Sequence, residues 1–280
     1  MLQWPPPLSR SKAAETIFNF SITCHRIRDA CMPTLFRRSR VTYGNLYSAS
    51  HDNLDIASSI GPYMNTLYVR VSMPLRLDQF QYLQVLLPQL HGLRKVTIVE
   101  CSGGLSLGLM SAIYAAPSLE ELVVQNVDWH ADPPYEMSLV PMLAPLKRLI
   151  QIGTDLPTVS LKTYPNTVYN TDAFFCHTLY QIRDTVEVVQ LRFTPERLEF
   201  LTAVKWPAMQ KLTLYGKYTL PDGGTSLRPL LQAMPNLHSM RVLLAVLYRP
   251  TPRLQIYSPE GSMSLLPLRH LTISNPDPKD

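Results

Sequence analysis

Seven times along the chain an apolar residue is followed, three and five positions on, by two more, and an eighth copy keeps only the first of the two. The segments start at Met64, Leu93, Leu119, Leu146, Val186, Met209, Leu237 and Leu268, so successive starts lie 29, 26, 27, 40, 23, 28 and 31 residues apart. Typical copies read Leu93-Arg-Lys-Val96-Thr-Ile98, Leu119-Glu-Glu-Leu122-Val-Val124 and Met209-Gln-Lys-Leu212-Thr-Leu214. The fourth is the shorter Leu146-Lys-Arg-Leu149. The alternation in the second half of each copy predicts a short strand. Its second and third apolar positions turn to a core and the residues between them turn out. Polar or Gly/Pro loops follow, at Ser102-Gly-Gly104, 128–134 and 221–224. Helical stretches come next, at 105–116, 195–204 and 227–234. Prolines near their ends (Pro88, Pro117, Pro145, Pro207, Pro235, Pro267) stop the helix and turn the chain into the next strand. Strand and helix in alternation predict a parallel sheet. One such unit cannot bury its own apolar face, so the units must stack, with strands on a concave side and helices on a convex side.

The 40-residue interval between Leu146 and Val186 departs from the period. It holds a stretch over 156–171 with little apolar pattern, then a predicted helix over 174–183. Either a degenerate unit or an inserted loop accounts for it. At the other end, residues 1–13 are Pro-rich and predicted to be disordered. Ile17, Phe20, Ile27, Ala30 and Cys31 recur at helical spacing, which predicts a helix from Ala14 to about Phe36, ended or kinked at Pro33. An extended stretch near 41–47 leads on. The expected organisation is a disordered 1–13, a helical segment 14–40 serving as N-terminal cap over 64–69, and a repeat array 41–280. After the last strand no helix remains to cover the final unit.

Composition adds that this is a folding sequence, 46% hydrophobic and 17% charged, with no run long enough for a membrane span. Met1–Arg10 is broken by Pro5, Pro6 and Pro7, so no secretory leader is expected. Cys24, Cys31, Cys101 and Cys176 form no C-x-x-C pair and are read as reduced thiols of a cytoplasmic or nuclear protein. Residues 1–50 carry seven basic and two acidic residues, 7 − 2 = +5; the other 230 carry 19 of each and balance to zero. On that sum no basic stripe runs along the repeats, and nucleic acid is not an expected partner.

Over about residues 60–275 the strand segments resemble the leucine-rich-repeat consensus L-x-x-L-x-L-x-x-N/C. Cys101 stands at its N/C position, while Ser72, Val127 and Lys217 stand there in other units. The resemblance implies an irregular leucine-rich-repeat solenoid of the α/β class. A second resemblance lies ahead of it. The stretch from Ser21 to Arg38 is similar to the second half of the F-box of fungal F-box proteins, through Cys24, Arg26, Ile27, Arg28, Leu35, Phe36 and Arg37. The opening Leu-Pro-x-Glu-Leu-type helix of that family has no match in Met1–Lys12. This resemblance implies contact with the adaptor subunit of a cullin-type ubiquitin ligase, through Ile27, Leu35 and Phe36.

Two local patterns point to chemistry. Gly104-Leu-Ser106-Leu-Gly108 matches G-x-S-x-G, for which Asp155 and His177 can be nominated as partners in a serine hydrolase. Against it, Cys101-Ser-Gly separates the motif from the strand, where a nucleophile elbow turns directly off it. Asp128-x-His130-x-Asp132 with Glu136 resembles a small carboxylate–imidazole metal set, or else a solvated loop stiffened by Pro133 and Pro134. No phosphate-binding loop, dinucleotide fingerprint or zinc spacing is present, and no cofactor is expected.

The reading is therefore a protein-recognition module, monomeric and not an enzyme. Its most concrete form is a substrate receptor of a cullin-type ubiquitin ligase. A ligase-independent adaptor is the alternative on the same fold, and a hydrolase using Ser106 the alternative of another class. The period of two puts the partner on the outward strand positions. These are Tyr68, Arg70, Lys95, Glu121, Gln125, Gln190, Arg192, Lys211, Tyr215, Arg241 and His270, with Thr66, Thr97, Val99, Val123, Val188, Thr213, Ser239 and Thr272 between them. Tyr68, Tyr215, Arg192 and Arg241 are the expected anchors.

Overall fold

Every strand of the main sheet runs parallel to its neighbours, and the outward and inward rows fall where the sequence period puts them. The structure is a computed structural model. It describes residues 25–43, 61–71, 83–99, 107–125, 145–153, 171–193, 195–218, 225–226, 228–246, 254–255 and 268–274. Contacts divide the chain into two compact units, Met1–Pro145 and Leu146–Asp280.

The first unit opens with helix α1 (His25–Leu35) and strand β1 (Arg38–Tyr43). Then come β2 (Thr66–Val71), β3 (Lys95–Val99), α2 (Leu107–Tyr114) and β4 (Glu121–Gln125). The strands pair in the order β1-β2-β3-β4. A 3-10 turn at Gly61–Tyr63 precedes β2, and before β3 residues 83–86 are α-helical and run into a 3-10 turn at Leu87–Gln89. The second unit holds β5 (Arg148–Ile152), α3 (Thr171–Gln181), β6 (Val188–Arg192), α4 (Pro195–Ala203) and β7 (Lys211–Tyr218). It continues through β8 (Thr225–Ser226), α5 (Arg228–Ala233), β9 (Ser239–Val246), β10 (Leu254–Gln255) and β11 (His270–Ser274). Its main sheet runs β5-β6-β7-β9-β11, and β8 pairs with β10 apart from it.

One bonding pattern repeats at each step within a unit. The carbonyl just ahead of a strand accepts two N–H groups from the next strand's start. Arg37 O takes those of Asn65 and Thr66, Asn65 O those of Arg94 and Lys95, and Arg94 O those of Glu120 and Glu121. In the second unit Lys147 O, Glu187 O, Gln210 O and His238 O do the same, all within 2.8–3.1 Å. This fixes the register, so equivalent residues of successive units stand side by side: Leu67, Val96 and Leu122, or Val189, Leu212, Met240 and Leu271.

The inward rows form the core. The leading apolar residue of each copy is buried at Met64, Leu93, Leu119, Leu146, Val186, Met209 and Leu237. So are the paired strand positions Leu67 and Val69, Val96 and Ile98, Leu122 and Val124, Val189 and Leu191, Leu212 and Leu214, and Met240 and Val242. Helices supply the other side of this core through Leu109, Met110 and Ile113 in the first unit, and through Leu179, Leu201, Leu230 and Leu231 in the second. In the second unit α4 packs against α3 and α5. Trp206 is fully buried, donates its indole N–H to Leu201 O at 2.9 Å, and meets Phe200 edge-on at 5.7 Å. Such a buried ring with its polar atom satisfied combines large burial with fixed geometry.

Several expectations are corrected here. The N-terminal helix does not end at Pro33: it runs through it to Leu35, and Phe36 N–H still reaches Met32 O at 3.0 Å. The ring costs the helix the bond an N–H would have made to Asp29 O, and helical bonding resumes beyond it at Phe36. That helix buries no side chain and lies against the 3-10 turn Gly61–Tyr63 ahead of β2, while β1 covers the edge of β2. The extended stretch expected at 41–47 is a sheet strand beginning at Arg38. β5 pairs directly with β6, so no further unit's strand lies between them and the long interval is one crossover. Cys31 and Cys176 are half-buried free thiols. Cys24, Cys101, Ser106, Asp155 and the Asp128–Glu136 loop lie outside the described residues. No helix among the described residues is long and apolar enough to cross a membrane.

At the far side of the second sheet, β11 repeats the inward pattern without a cover. Leu271 and Ile273 align with buried Met240 and Val242 yet are 38% and 48% exposed. Amide hydrogen exchange should therefore show the weakest strand protection over 270–274 and strong protection over 95–99 and 121–125. Leu122→Ala and Leu212→Ala each truncate a side chain that is 1% exposed and should each lower unfolding free energy by roughly 2–5 kcal/mol, measured by urea denaturation.

Candidate functional site

The outward strand rows divide by unit. On β2–β4 much of the face is closed. Lys95 donates to Glu121 across the strand pair at 2.7 Å, and Arg94 pairs with Glu120 one position earlier, so adjacent units neutralise each other's charge. Tyr68, Arg70, Val99 and Gln125 are half-buried. Thr66, Thr97 and Val123, expected to project freely, are buried at 9%, 5% and 5% exposure. The register bears on Thr97, which stands between Val123 and the longer Tyr68, a cross-strand neighbour able to shield it. The Thr97 hydroxyl is left without a hydrogen-bond partner.

The face of the second unit is more open. Arg192, Lys211, Arg241 and His270 are exposed, and Val188, Gln190, Thr213, Tyr215 and Ser239 are half-buried beside them. Arg148 and Ile152, which the sequence pattern did not assign to the face, belong to it by register and are exposed too. Tyr215 lies along β5's end, where a side chain at Gly153 would come within 3.4 Å of its hydroxyl. Gly216, next in β7, has φ +130, a conformation open to glycine, and a Cβ there would press on Arg192 Cγ at 3.2 Å.

Beneath this face sits a polar cluster that sequence reasoning missed. The third inward position is Val69, Ile98, Val124, Leu191, Leu214 or Val242 elsewhere, but Gln151 on β5. Its side chain is buried. Gln151 Oε1 accepts from Arg197 Nη1 at 2.8 Å and from the Arg192 N–H at 3.1 Å, and Arg197 Nη1 also donates to Arg192 O at 3.0 Å. Gln190 Nε2 donates to Gln151 O at 3.3 Å. Arg197, carried by α4, is itself buried. The available signal was the failure of the fourth copy to supply its last apolar residue: a polar residue on a core row demands a buried partner.

The other candidates come together less. Ile27 is exposed on α1, and Leu35 and Phe36 are half-buried. His177 is half-buried on α3, and its Nε2 accepts a hydrogen bond from the Gln181 amide at 2.7 Å. Among the described residues no cluster of three or more His, Cys, Asp or Glu could hold a metal. No protein-family model matches the chain, and no curated protein is similar to it.

The buried pair makes a sharp expectation. Gln151→Leu removes an acceptor from a buried guanidinium and should cost about 2–4 kcal/mol. Gln151→Leu with Arg197→Leu, which replaces both polar partners by apolar ones, should recover at least half of that loss. Chemical denaturation of the wild type, both single variants and the double variant measures the coupling.

Proposed function

We propose that the chain is a protein-recognition module of the leucine-rich-repeat type, and that it serves as substrate receptor of a cullin-type ubiquitin ligase. The observation that carries the first half is the second unit's outward rows. In-register parallel strands present exposed Arg192, Lys211, Arg241 and His270 with half-buried Tyr215, while the opposite face is spent on the core. Arginine and tyrosine on a rigid scaffold are the side chains that dominate protein hot spots. The second half rests on the resemblance of 21–38 to the closing half of an F-box. It is supported by α1, whose described side chains are not used in the core and which leaves Ile27 exposed.

Affinity measurement against a purified ligase adaptor checks the ligase half. Binding is expected, and Ile27→Asp should weaken it by about tenfold or more. No adaptor binding by the full chain would reduce the function to ligase-independent recognition. For the recognition half, ligands selected from a random peptide library should lose affinity on Tyr215→Ala and keep it on Glu199→Ala, an exposed residue of α4. The reverse pattern would move the binding surface to the helices and end the reading.

A further inference from the structure

The charge of the chain is partitioned more finely than its sum shows. Residues 51–145 carry four basic and nine acidic residues, 4 − 9 = −5; residues 146–280 carry fifteen and ten, 15 − 10 = +5. The balance of zero over the repeats therefore hides two halves of opposite sign. In the second half much of the positive charge is on the sheet. Along segments 146–152, 186–192, 209–215, 237–243 and 268–274, Glu187 is the one acidic residue, and it is half-buried. Against it stand exposed Arg192, Lys211 and Arg241 on the strands, and exposed Lys147 and Arg269 just ahead of theirs. Among the described residues none of these five is in an ion pair, whereas Arg94 and Lys95 of the first unit are each paired across strands.

We propose that the outward face of the second unit's sheet binds an acidic segment of a partner protein in which carboxylates alternate with aliphatic side chains. This rests on the recognition reading above and names the chemistry of its ligand. Charge complementarity supplies the first argument: a net-positive face whose Arg192, Lys211 and Arg241 stand outside any ion pair among the described residues attracts and orients an acidic partner. Spacing supplies the second. The register puts Arg148, Lys211 and His270 in one row on every second strand. Strands lie about 4.8 Å apart, so that step is ~10 Å, which an extended peptide crossing the strands covers in about three residues. The third argument is the apolar surface between the charges: Ile152 is 39% exposed, and Ile150, Val188 and Leu243 are half-buried. Such a face rewards aliphatic side chains, which a sugar–phosphate backbone does not offer. Within the rows 148–152, 188–192, 211–215, 239–243 and 270–274, Tyr215 is the only Phe, Tyr or Trp, and it is half-buried. A surface that holds single-stranded nucleic acid stacks successive bases on several aromatic rings. The observations therefore favour an acidic peptide over a nucleic acid.

Fluorescence anisotropy with the full chain tests this with three labelled probes: a peptide of Glu-Leu-Ser repeats, its Gln-Leu-Ser counterpart, and an oligothymidine. The glutamate peptide should bind best and weaken as salt rises. Lys211→Glu with Arg241→Glu should weaken it by about tenfold or more, and Arg26→Glu on α1 should leave it unchanged. The milder Lys211→Gln with Arg241→Gln should weaken it in the same direction, should the charge reversal disturb folding by circular dichroism. Equal binding of the glutamine and glutamate peptides overturns the acidic ligand. So does glutamate-peptide binding that neither double variant changes. Tighter binding of oligothymidine, lost in the same variants, overturns it in favour of a nucleic-acid surface. Failure of the glutamate peptide to bind also overturns it; the recognition reading then survives if library-selected peptides still depend on Tyr215.

Discussion

Each strand in this protein is too short and too one-sided to hold itself. A five-residue segment with two inward apolar side chains gains nothing until another such segment lies beside it in the same register. The shared carbonyl enforces that register. By taking two N–H groups from the next unit, the residue ahead of each strand fixes where its neighbour begins. A slip of one residue would turn Val96, Leu122 or Leu212 to solvent and Lys95, Glu121 or Lys211 to the core. Core, helix placement and the composition of the outward face all follow from this alignment. The exposed Leu271 and Ile273 show the same constraint where no next strand follows in the described sheet.

Because the constraint is periodic, much of it was legible in the sequence. Each of the eight apolar segments falls on a strand of the main sheet, the short fourth copy on β5 included. The helices at 107–114, 195–203 and 228–233 fall inside the stretches read from Gly/Pro loops and terminal prolines. Legibility failed where the determinant was not periodic. β1 has no apolar triplet: Phe36-Arg-Arg-Ser39-Arg-Val41 shows an apolar residue only at its first and last places, and the strand is specified by the edge of β2 that it covers. Pro33 was read as a breaker because propensity is local, yet the helix runs past it to Leu35. Gln151 hides β5's last core position, since its partner Arg197 lies 46 residues on and no local pattern joins them.

The candidate face was legible in its positions and not in its character. A period of two identifies which residues turn outward, but exposure and net charge depend on neighbours across the sheet. Thr97 and Val123 are outward yet buried, and Thr97 stands beside the longer Tyr68. Lys95 and Glu121 are outward yet mutually neutralised. Summing charge along the chain averaged an acidic stretch against a basic one, and only the register shows that the second unit's positive side chains share one face.

The Gln151–Arg197 cluster links the buried layer to that face. A glutamine and an arginine in the core are costly to desolvate, and an apolar pair of the same volume would serve packing as well or better. Their hydrogen bonds do something an apolar pair could not. Gln151 Oε1 holds the Arg192 N–H and Arg197 holds the Arg192 carbonyl, so both backbone polar groups of an outward-facing arginine are gripped from below. Gly216 keeps the neighbouring strand clear of the Arg192 stem. Arg192 ends its strand, where chain direction is otherwise set by few ladder bonds, and its side chain can be aimed only as well as its backbone is fixed. A support of this kind lowers the ordering cost of binding, because less freedom is lost when the guanidinium meets a carboxylate. The same bonds that depart from the apolar core pattern thus favour a defined position for one charge on the recognition surface.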